Sequence, residues 1–237
     1  MRTRHDNRAA RVGVFAAGVA VGYLAPGLAA AVPPLRRPLG VADRIDDEGA
    51  VALTFDDGPH PQGTPAVLEI LAAAGVQATF FLVGEQVERD AALAREVAGA
   101  GHHVGVHCHR HRNLLRVGPV GVREDITRAE DLIAEATGCA PVLYRPPYGV
   151  FNAAALRFAR ARAWTPLLWT RWGRDWERRA TPASIAAAVT DGLRGGDVLL
   201  LHDADYYSAI GSWQKTAAAL PRVLDACGEA GLRVVAA

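Results

Sequence analysis

The chain has 237 residues, and its 26 lysine and arginine residues against 25 aspartate and glutamate residues give a formal net charge of +1. This length suits one large α/β domain, and the even charge balance offers no positive field for nucleic acid, so no nucleic-acid partner is expected. Lys215 is the only lysine, which leaves few candidates for Schiff-base or phosphate-clamping chemistry. The cysteines at 108, 139 and 227 predict neither a disulfide framework nor a structural zinc site.

The N-terminal part has the pattern of an export signal. Residues 12–32 carry no charge and follow four arginines within the first eleven residues. Ala29-Ala30-Ala31 would suit a cleavage site, whereas an uncut segment of this length could just span a bilayer as an interrupted helix. We therefore expect residues 1–38 to be a signal peptide or membrane anchor with a linker, and residues 39–237 to be the functional domain. The expected location is secreted, or anchored to the outer face of the cytoplasmic membrane.

After residue 38, short apolar runs alternate with alanine- and leucine-rich segments of helical period. Strands are predicted at residues 51–55, 78–83, 103–106, 142–144, 165–169, 198–201 and 233–235. Helices are predicted at residues 65–74, 90–100, 122–137, 152–163, 182–193 and 216–230. Seven strands with crossover helices predict an α/β fold with one parallel sheet that closes on itself.

Unusual polar residues follow the predicted strands at the point where each strand ends. Asp56 and Asp57 follow the first strand, and two adjacent carboxylates require a cation or a donor beside them to remain ionised. The later strands are followed by residues 107–111, Arg145, residues 169–176 and His202. Because the carboxyl ends of parallel barrel strands meet on one face, this pattern predicts an active site there.

His107 and His111 are four residues apart, so both imidazoles can face one cation on a helical turn. Asp57 can add a carboxylate from the neighbouring loop, which predicts an open metal site with three protein ligands. A solvated histidine-rich surface loop is the alternative interpretation of the same spacing.

Five segments in chain order resemble the motifs of a known family: TFDDGP at 54–59, HCHRH at 107–111, RPPYG at 145–149, WTRWGRDW at 169–176 and LLH at 200–202. From about residue 51 to the C-terminus, the chain resembles the polysaccharide deacetylases, carbohydrate esterase family 4, which contain the chitooligosaccharide deacetylase homology domain. The resemblance implies a distorted (β/α)7 barrel with one parallel sheet closed or nearly closed, and a catalytic domain at residues 39–237.

The resemblance also implies a role for each motif residue. Asp56 would be the general base, oriented by Arg145, and His202 would be the general acid. One divalent metal ion would be held by Asp57, His107 and His111, with zinc as the first choice and cobalt or nickel as alternatives. The oxyanion would accept a hydrogen bond from the backbone N–H of Tyr148. Substrate would be bound by Tyr148, Asp175 and Trp176.

The implied reaction removes N-acetyl groups from the amino sugars of a peptidoglycan-like or chitin-like glycan and releases acetate. An O-acetyl esterase acting on an acetylated glycan and a catalytically impaired glycan-binding relative are the alternatives, while the single lysine disfavours a phosphotransferase. Membrane attachment would come from the N-terminal segment.

Two positions depart from the family pattern. Cys108 stands where relatives have Ser or Thr, which would weaken a hydrogen bond that fixes the loop or offer a thiolate to the metal. Trp172 stands where relatives have the first aspartate of the fourth motif, a residue expected to tune the acid histidine. Its loss predicts a lower pKa for His202, unless Asp175 has taken over that role.

Overall fold

The structure is a computed structural model that describes residues 21–237 of the chain. Its centre is one sheet of eight parallel strands in the order β5-β4-β3-β2-β1-β7-β6, with β8 paired to the start of β1. The strands are β1 Ala50–Asp56, β2 Thr79–Leu82, β3 His103–Val106, β4 Leu143–Tyr144, β5 Thr165–Pro166, β6 Arg171–Trp172, β7 Val198–His202 and β8 Arg233–Val235.

The two edge strands of this sheet belong to one short piece of chain. Only residues 167–170 separate β5 from β6, so a fully extended connection between the two edges could span no more than about 18 Å. A sheet of this width can meet that limit only by curling back on itself, and the predicted distorted (β/α)7 barrel with a nearly closed parallel sheet is therefore confirmed.

The predicted single strand at residues 165–169 is wrong, because this segment crosses the seam of the barrel. Leu167 N donates to Tyr144 O beside β5, whereas Thr170 N donates to Val198 O on the opposite edge. Between them, Leu168 N donates to Ala42 O, so the chain has three different partners within four residues. The result is two strands of two residues each, one more strand than the sequence predicts.

The α-helices that cover the sheet are α1 Gly63–Ala74, α2 Gly84–Arg89, α3 Ala91–Gly99, α4 Pro119–Thr137, α5 Ala153–Ala161, α6 Pro182–Thr190 and α7 Ser212–Glu229. Two of these helices, α1 and α4, end at glycines with a left-handed backbone, Gly75 and Gly138, where φ is 65° and 71°. The short helix α2 was not predicted, because its six residues are too few to show a helical period.

The strands β1 and β2 form the centre of the core, and every residue of both is buried. Most of their side chains are apolar on both faces, because helices cover the sheet on the outside and the opposite wall of the barrel fills the inside. The rings of Phe55 and Phe80 stack with centroids 5.0 Å apart. This packing fixes the position of the residues that follow β1.

Residues 21–39 pack against the barrel in three short 3-10 helices, Ala25–Ala30, Pro33–Leu35 and Arg37–Leu39. The Tyr23 hydroxyl donates to Val117 O at 2.7 Å, and the buried Arg36 donates to Ala29 O, Asp43 and Trp169 O. The rest of the predicted export segment, residues 12–20, lies outside the described residues. Among residues 21–237 there is no helix long and apolar enough to cross a membrane. The boundary at residue 38 and the signal or anchor remain predictions.

Candidate active site

Two consecutive carboxylates at the end of β1 line the same cavity. Successive side chains of a strand point to opposite faces, so a regular strand would separate Asp56 from Asp57. The backbone of Asp57 is left-handed, with φ 79°, which ends the strand and breaks that alternation. A left-handed non-glycine residue at this point is strained, as is common where a site demands a fixed geometry.

Arg145 neutralises Asp56 in the interior. The guanidinium is fully buried and donates from Nη1 to Asp56 Oδ1 at 2.7 Å and to Thr54 Oγ1 at 2.9 Å. Its remaining nitrogens donate to the carbonyls of Leu167 and Leu168, each at 2.9 Å. A buried charge is tolerated when it is paired and its donors are satisfied. Arg145 therefore holds the Asp56 carboxylate in one orientation.

Asp57 faces two histidines instead. Its Oδ1 lies 3.4 Å from His107 Nε2 and 3.3 Å from His111 Nε2, and the three ligand atoms lie within 4.8 Å of one another. A tetrahedral ion with bonds of about 2.0–2.1 Å separates its ligand atoms by about 3.3 Å. Within residues 21–237 the buried Oδ1 has no hydrogen-bond partner. An unsatisfied carboxylate oxygen beside two imidazole nitrogens fits a divalent metal.

The protonation of this trio suits metal binding. Burial by itself would raise the pKa of Asp57, but the neighbouring imidazoles of His107, His202 and His111 lower it to about 2. Burial lowers the pKa of His111 to about 4 despite the attraction of Asp57. His107 Nδ1 lies 2.8 Å from the carbonyl of Arg145, so a proton on Nδ1 leaves Nε2 free as a ligand atom.

His202 is supported by Asp175, which corrects two predictions. Asp175 is fully buried, does not line the cavity, and has its Oδ1 2.9 Å from His202 Nδ1. Its Oδ2 accepts from His202 N and from the hydroxyl of Thr216. Asp175 is therefore a positioning residue, and its assignment to substrate binding is wrong because it lies beneath the histidine.

The predicted low pKa of His202 is also wrong. Burial would lower this pKa, but the charge and hydrogen bond of Asp175, with smaller contributions from Asp57 and Asp56, raise it to about 10. Position 172 lacks the aspartate that the family pattern has there, and Asp175, three residues further along the chain, supplies the carboxylate to His202 instead. The Trp172 side chain is 37% exposed and lies in the cavity wall.

Cys108 is neither a metal ligand nor a weak point of its loop. It is fully buried, its Sγ lies 3.5 Å from the Tyr144 hydroxyl, and burial raises its pKa. The loop is fixed from α4 instead, because one carboxylate oxygen of Asp125 accepts from the backbone N–H groups of His109 and Arg110 at 2.8 and 3.3 Å. The role of Asp125 was not predicted, because a single aspartate in a helix belongs to no recognisable motif.

The cavity over these residues has a volume of about 360 Å³ and a largely aromatic wall. Tyr148 is 56% exposed and has a left-handed backbone with φ 59°, and the ring of Trp176 meets His202 edge-on at 5.5 Å. Both line the cavity, where the sequence expected them. The wall also contains Trp169, Trp172 and Leu200 from the fourth and fifth motifs, together with Tyr207 and Ser208, which were not predicted.

Comparison with known proteins identifies the family of the chain. The polysaccharide deacetylase family matches residues 43–165. The chain is 33% identical over 192 residues to a peptidoglycan-N-acetylglucosamine deacetylase of Bacillus cereus, covering 80% of this chain and 87% of that one. It is 34% identical over 167 residues to a chitooligosaccharide deacetylase of Azorhizobium caulinodans, covering 70% and 79%.

Solved structures agree as well. The crystal structure of the Bc1960 peptidoglycan N-acetylglucosamine deacetylase superposes with a TM-score of 0.78 at 30% identity, covering 84% of this chain and 92% of that chain. A family 4 acetyl xylan esterase from Clostridium thermocellum, in complex with a cobalt ion, gives a TM-score of 0.71 at 29% identity, covering 79% and 87%. The chain therefore belongs to the polysaccharide deacetylases, the hydrolases of carbohydrate esterase family 4.

Proposed function

We propose that this polysaccharide deacetylase is a metal-dependent enzyme that removes N-acetyl groups from the amino sugars of a peptidoglycan-like or chitin-like glycan and releases acetate. The observation that carries the proposal is that the two carboxylates have different partners. Asp56 is held by a buried guanidinium, whereas Asp57 turns an unsatisfied oxygen towards two imidazole nitrogens at 3.3 and 3.4 Å. The peptidoglycan and chitooligosaccharide activities named for the relatives support the substrate class.

Asp57, His107 and His111 would hold the metal, for which zinc is the first choice and cobalt or nickel are alternatives. Once bound there, a divalent ion supplies Lewis acidity to the acetyl carbonyl and lowers the pKa of a water towards about 7. The cobalt complex of the related acetyl xylan esterase supports a site of this kind.

Asp56 is suited to be the general base. Its Oδ1 is occupied by Arg145, and its Oδ2 lies 3.9 Å from His107 Nε2, on the side of the metal-binding trio. The proton of the attacking water would be transferred to Oδ2. Arg145 keeps the carboxylate from rotating, so this oxygen stays directed at the reaction centre.

His202 is suited to be the general acid. Asp175 holds Nδ1, which leaves Nε2 facing the cavity at 3.9 Å from Asp57 Oδ2. A proton on Nε2 would pass to the nitrogen of the departing amino sugar. Because the pKa of His202 is raised, the imidazole remains protonated at neutral pH, as an acid must before it can act.

Substrate would enter between aromatic side chains. The exposed ring of Tyr148 and the indole of Trp176 can pack on the apolar faces of sugar rings, and the Tyr148 backbone N–H is our candidate donor to the oxyanion. An O-acetyl esterase acting on an acetylated glycan is the second candidate function, favoured by the structural likeness to the acetyl xylan esterase.

The test is acetate release from a panel of N-acetylated and O-acetylated glycans, measured before chelation, after it, and after addition of one equivalent of zinc, cobalt or nickel. We expect loss and restoration of activity, with N-acetylated glycans preferred. Asp56→Asn should keep metal and lose most activity, whereas His111→Ala should lose metal affinity. His103→Ala, at the exposed start of β3, is the matched control. Full activity in a demonstrably metal-free sample would overturn the proposal.

We also propose that the enzyme works outside the cytoplasm, secreted or attached to the membrane by its N-terminal segment. The uncharged run after four arginines supports this location, and so does a cell-wall type of substrate.

A further inference from the structure

The two metal-binding histidines are oriented by different means. His107 has its Nδ1 2.8 Å from the carbonyl of Arg145, which fixes both its tautomer and the angle of its ring. The Nδ1 of His111 is buried and has no hydrogen-bond partner within residues 21–237. The ring torsion of a histidine has a broad energy profile, so without another restraint this ring could swing its Nε2 away from Asp57.

Aromatic contacts provide that restraint. The ring of Tyr207 stacks on the His111 imidazole with centroids 4.1 Å apart and planes only 10° from parallel. On another side Tyr148 meets the same imidazole at 4.6 Å and 65°. A parallel stack opposes rotation of the imidazole out of its plane, because rotation would drive the edge of one ring into the face of the other.

Tyr207 is itself held in place. Its hydroxyl donates to Glu85 Oε1 at 2.6 Å and accepts from Gln86 Nε2 at 2.9 Å, and both partners belong to α2. The same short helix binds the backbone of the histidine loop, since Gly84 N donates to Cys108 O and Glu85 N donates to His109 O, each at 2.9 Å. One element therefore fixes both the loop that carries His111 and the ring that stacks on it.

We infer that Tyr207 is a positioning residue that orients His111 for metal binding, in place of the hydrogen bond that His107 has. The inference rests on the proposed metal site and adds a residue that no motif of the family pattern contains. Loss of a residue that orients a metal ligand typically weakens metal binding by about 10-fold to 100-fold.

The experiment measures the zinc dissociation constant by competition with a chelator, together with the thermal unfolding of the metal-free protein. Tyr207→Leu removes the stack, and we expect zinc binding about 10-fold to 100-fold weaker. Tyr207→Phe keeps the stacked ring and loses only the bonds to Glu85 and Gln86, so we expect a smaller loss. In the cobalt-loaded protein, Tyr207→Leu should also alter the visible absorption spectrum, which depends on coordination geometry.

Tyr206 provides the matched control, because it is the next residue on the same loop and packs on His60 at 4.9 Å rather than on His111. Tyr206→Leu should leave the zinc dissociation constant unchanged. A zinc dissociation constant for Tyr207→Leu within twofold of the parent would overturn the inference, and so would a loss of thermal stability without weaker zinc binding. If Tyr207→Leu does not fold, Tyr207→Phe becomes the test. A zinc dissociation constant and a cobalt spectrum like those of the parent would then overturn the inference that α2 holds Tyr207 in place for His111. Absence of zinc binding in the parent would instead count against the proposed function.

Discussion

Replacing Asp175 by asparagine removes the carboxylate beneath the proposed acid. In the parent, burial would lower the pKa of His202, but Asp175, at 2.9 Å from Nδ1, is the strongest of the groups that raise it to about 10. An acid is active only while protonated, so the rate falls as the pH rises through this pKa. A raised pKa therefore extends activity to higher pH, and losing Asp175 must move the alkaline limb of the kcat/KM profile downwards.

The size of the effect follows from the titration curve. At pH 8 a histidine with a pKa near 10 is about 99% protonated, whereas one with the ordinary pKa of about 6.5 is about 3% protonated. Complete loss of the shift would lower kcat/KM about 30-fold at pH 8 while leaving it nearly unchanged at pH 5.5. Asp56 continues to act on His202 in the variant, so the limb should move by less than the full difference between the two pKa values, and we expect a movement of about one pH unit or more.

The assay is acetate release from a soluble N-acetylated amino-sugar oligomer between pH 5 and pH 10. Asp205→Asn is the control, because it removes a carboxylate that lies 3.2 Å from a different histidine, His60. Trp172→Asp should also leave the limb in place, because the tuning carboxylate is already present. A folded Asp175→Asn variant with the alkaline limb of the parent would refute this reasoning.

Three further outcomes are expected. Arg145→Met should lower the free energy of unfolding by about 3–5 kcal/mol in a denaturant titration, because it leaves the Asp56 carboxylate buried without its partner; a loss below about 1 kcal/mol would contradict this. Burial raises the pKa of Asp203 to about 7, so the folded protein is stabilised by the protonated form of this carboxyl group. That contribution to stability is complete below about pH 4 and is lost as the pH rises through 7. Asp203→Asn should therefore raise the melting temperature of the metal-free protein relative to the parent at pH 8 but not at pH 4, and equal differences at both pH values would argue against it. A reporter fused after Pro38 should be recovered outside the cytoplasm, and its retention in the cytosol would count against export.

The composition of the site could be predicted because its main residues stand directly after strands, and parallel strands bring their carboxyl ends together. Asp56, Asp57 and His202 show this pattern in the sequence. The function of Asp175 could not be predicted in the same way. The loop before it contains a left-handed residue, Arg174 with φ 50°, and such a reversal of the chain has no periodic signal.

Tyr207 was missed for a related reason. It follows the fifth motif by five residues in a loop, and its partners His111 and Glu85 are far away in the sequence. The division of residues 165–172 between two edges also needs the three-dimensional structure, since strands of two residues are too short to show alternation. The local sequence pattern therefore predicted the site residues at strand ends, whereas the role of Tyr207 and the division of residues 165–172 depend on contacts between residues distant in sequence.

The docking of Arg36 bears on the predicted cleavage of a signal peptide. Arg36 is 7% exposed, and two acceptors of its guanidinium are the carbonyls of Ala29 and Ala30, which lie within the predicted cleavage sequence. Cleavage after Ala31 would remove both acceptors and leave a nearly buried cation with fewer partners, at a cost of about 1–3 kcal/mol for each unsatisfied donor. The cut and uncut proteins should consequently differ in melting temperature, and N-terminal sequencing of exported material identifies which of the two the cell retains.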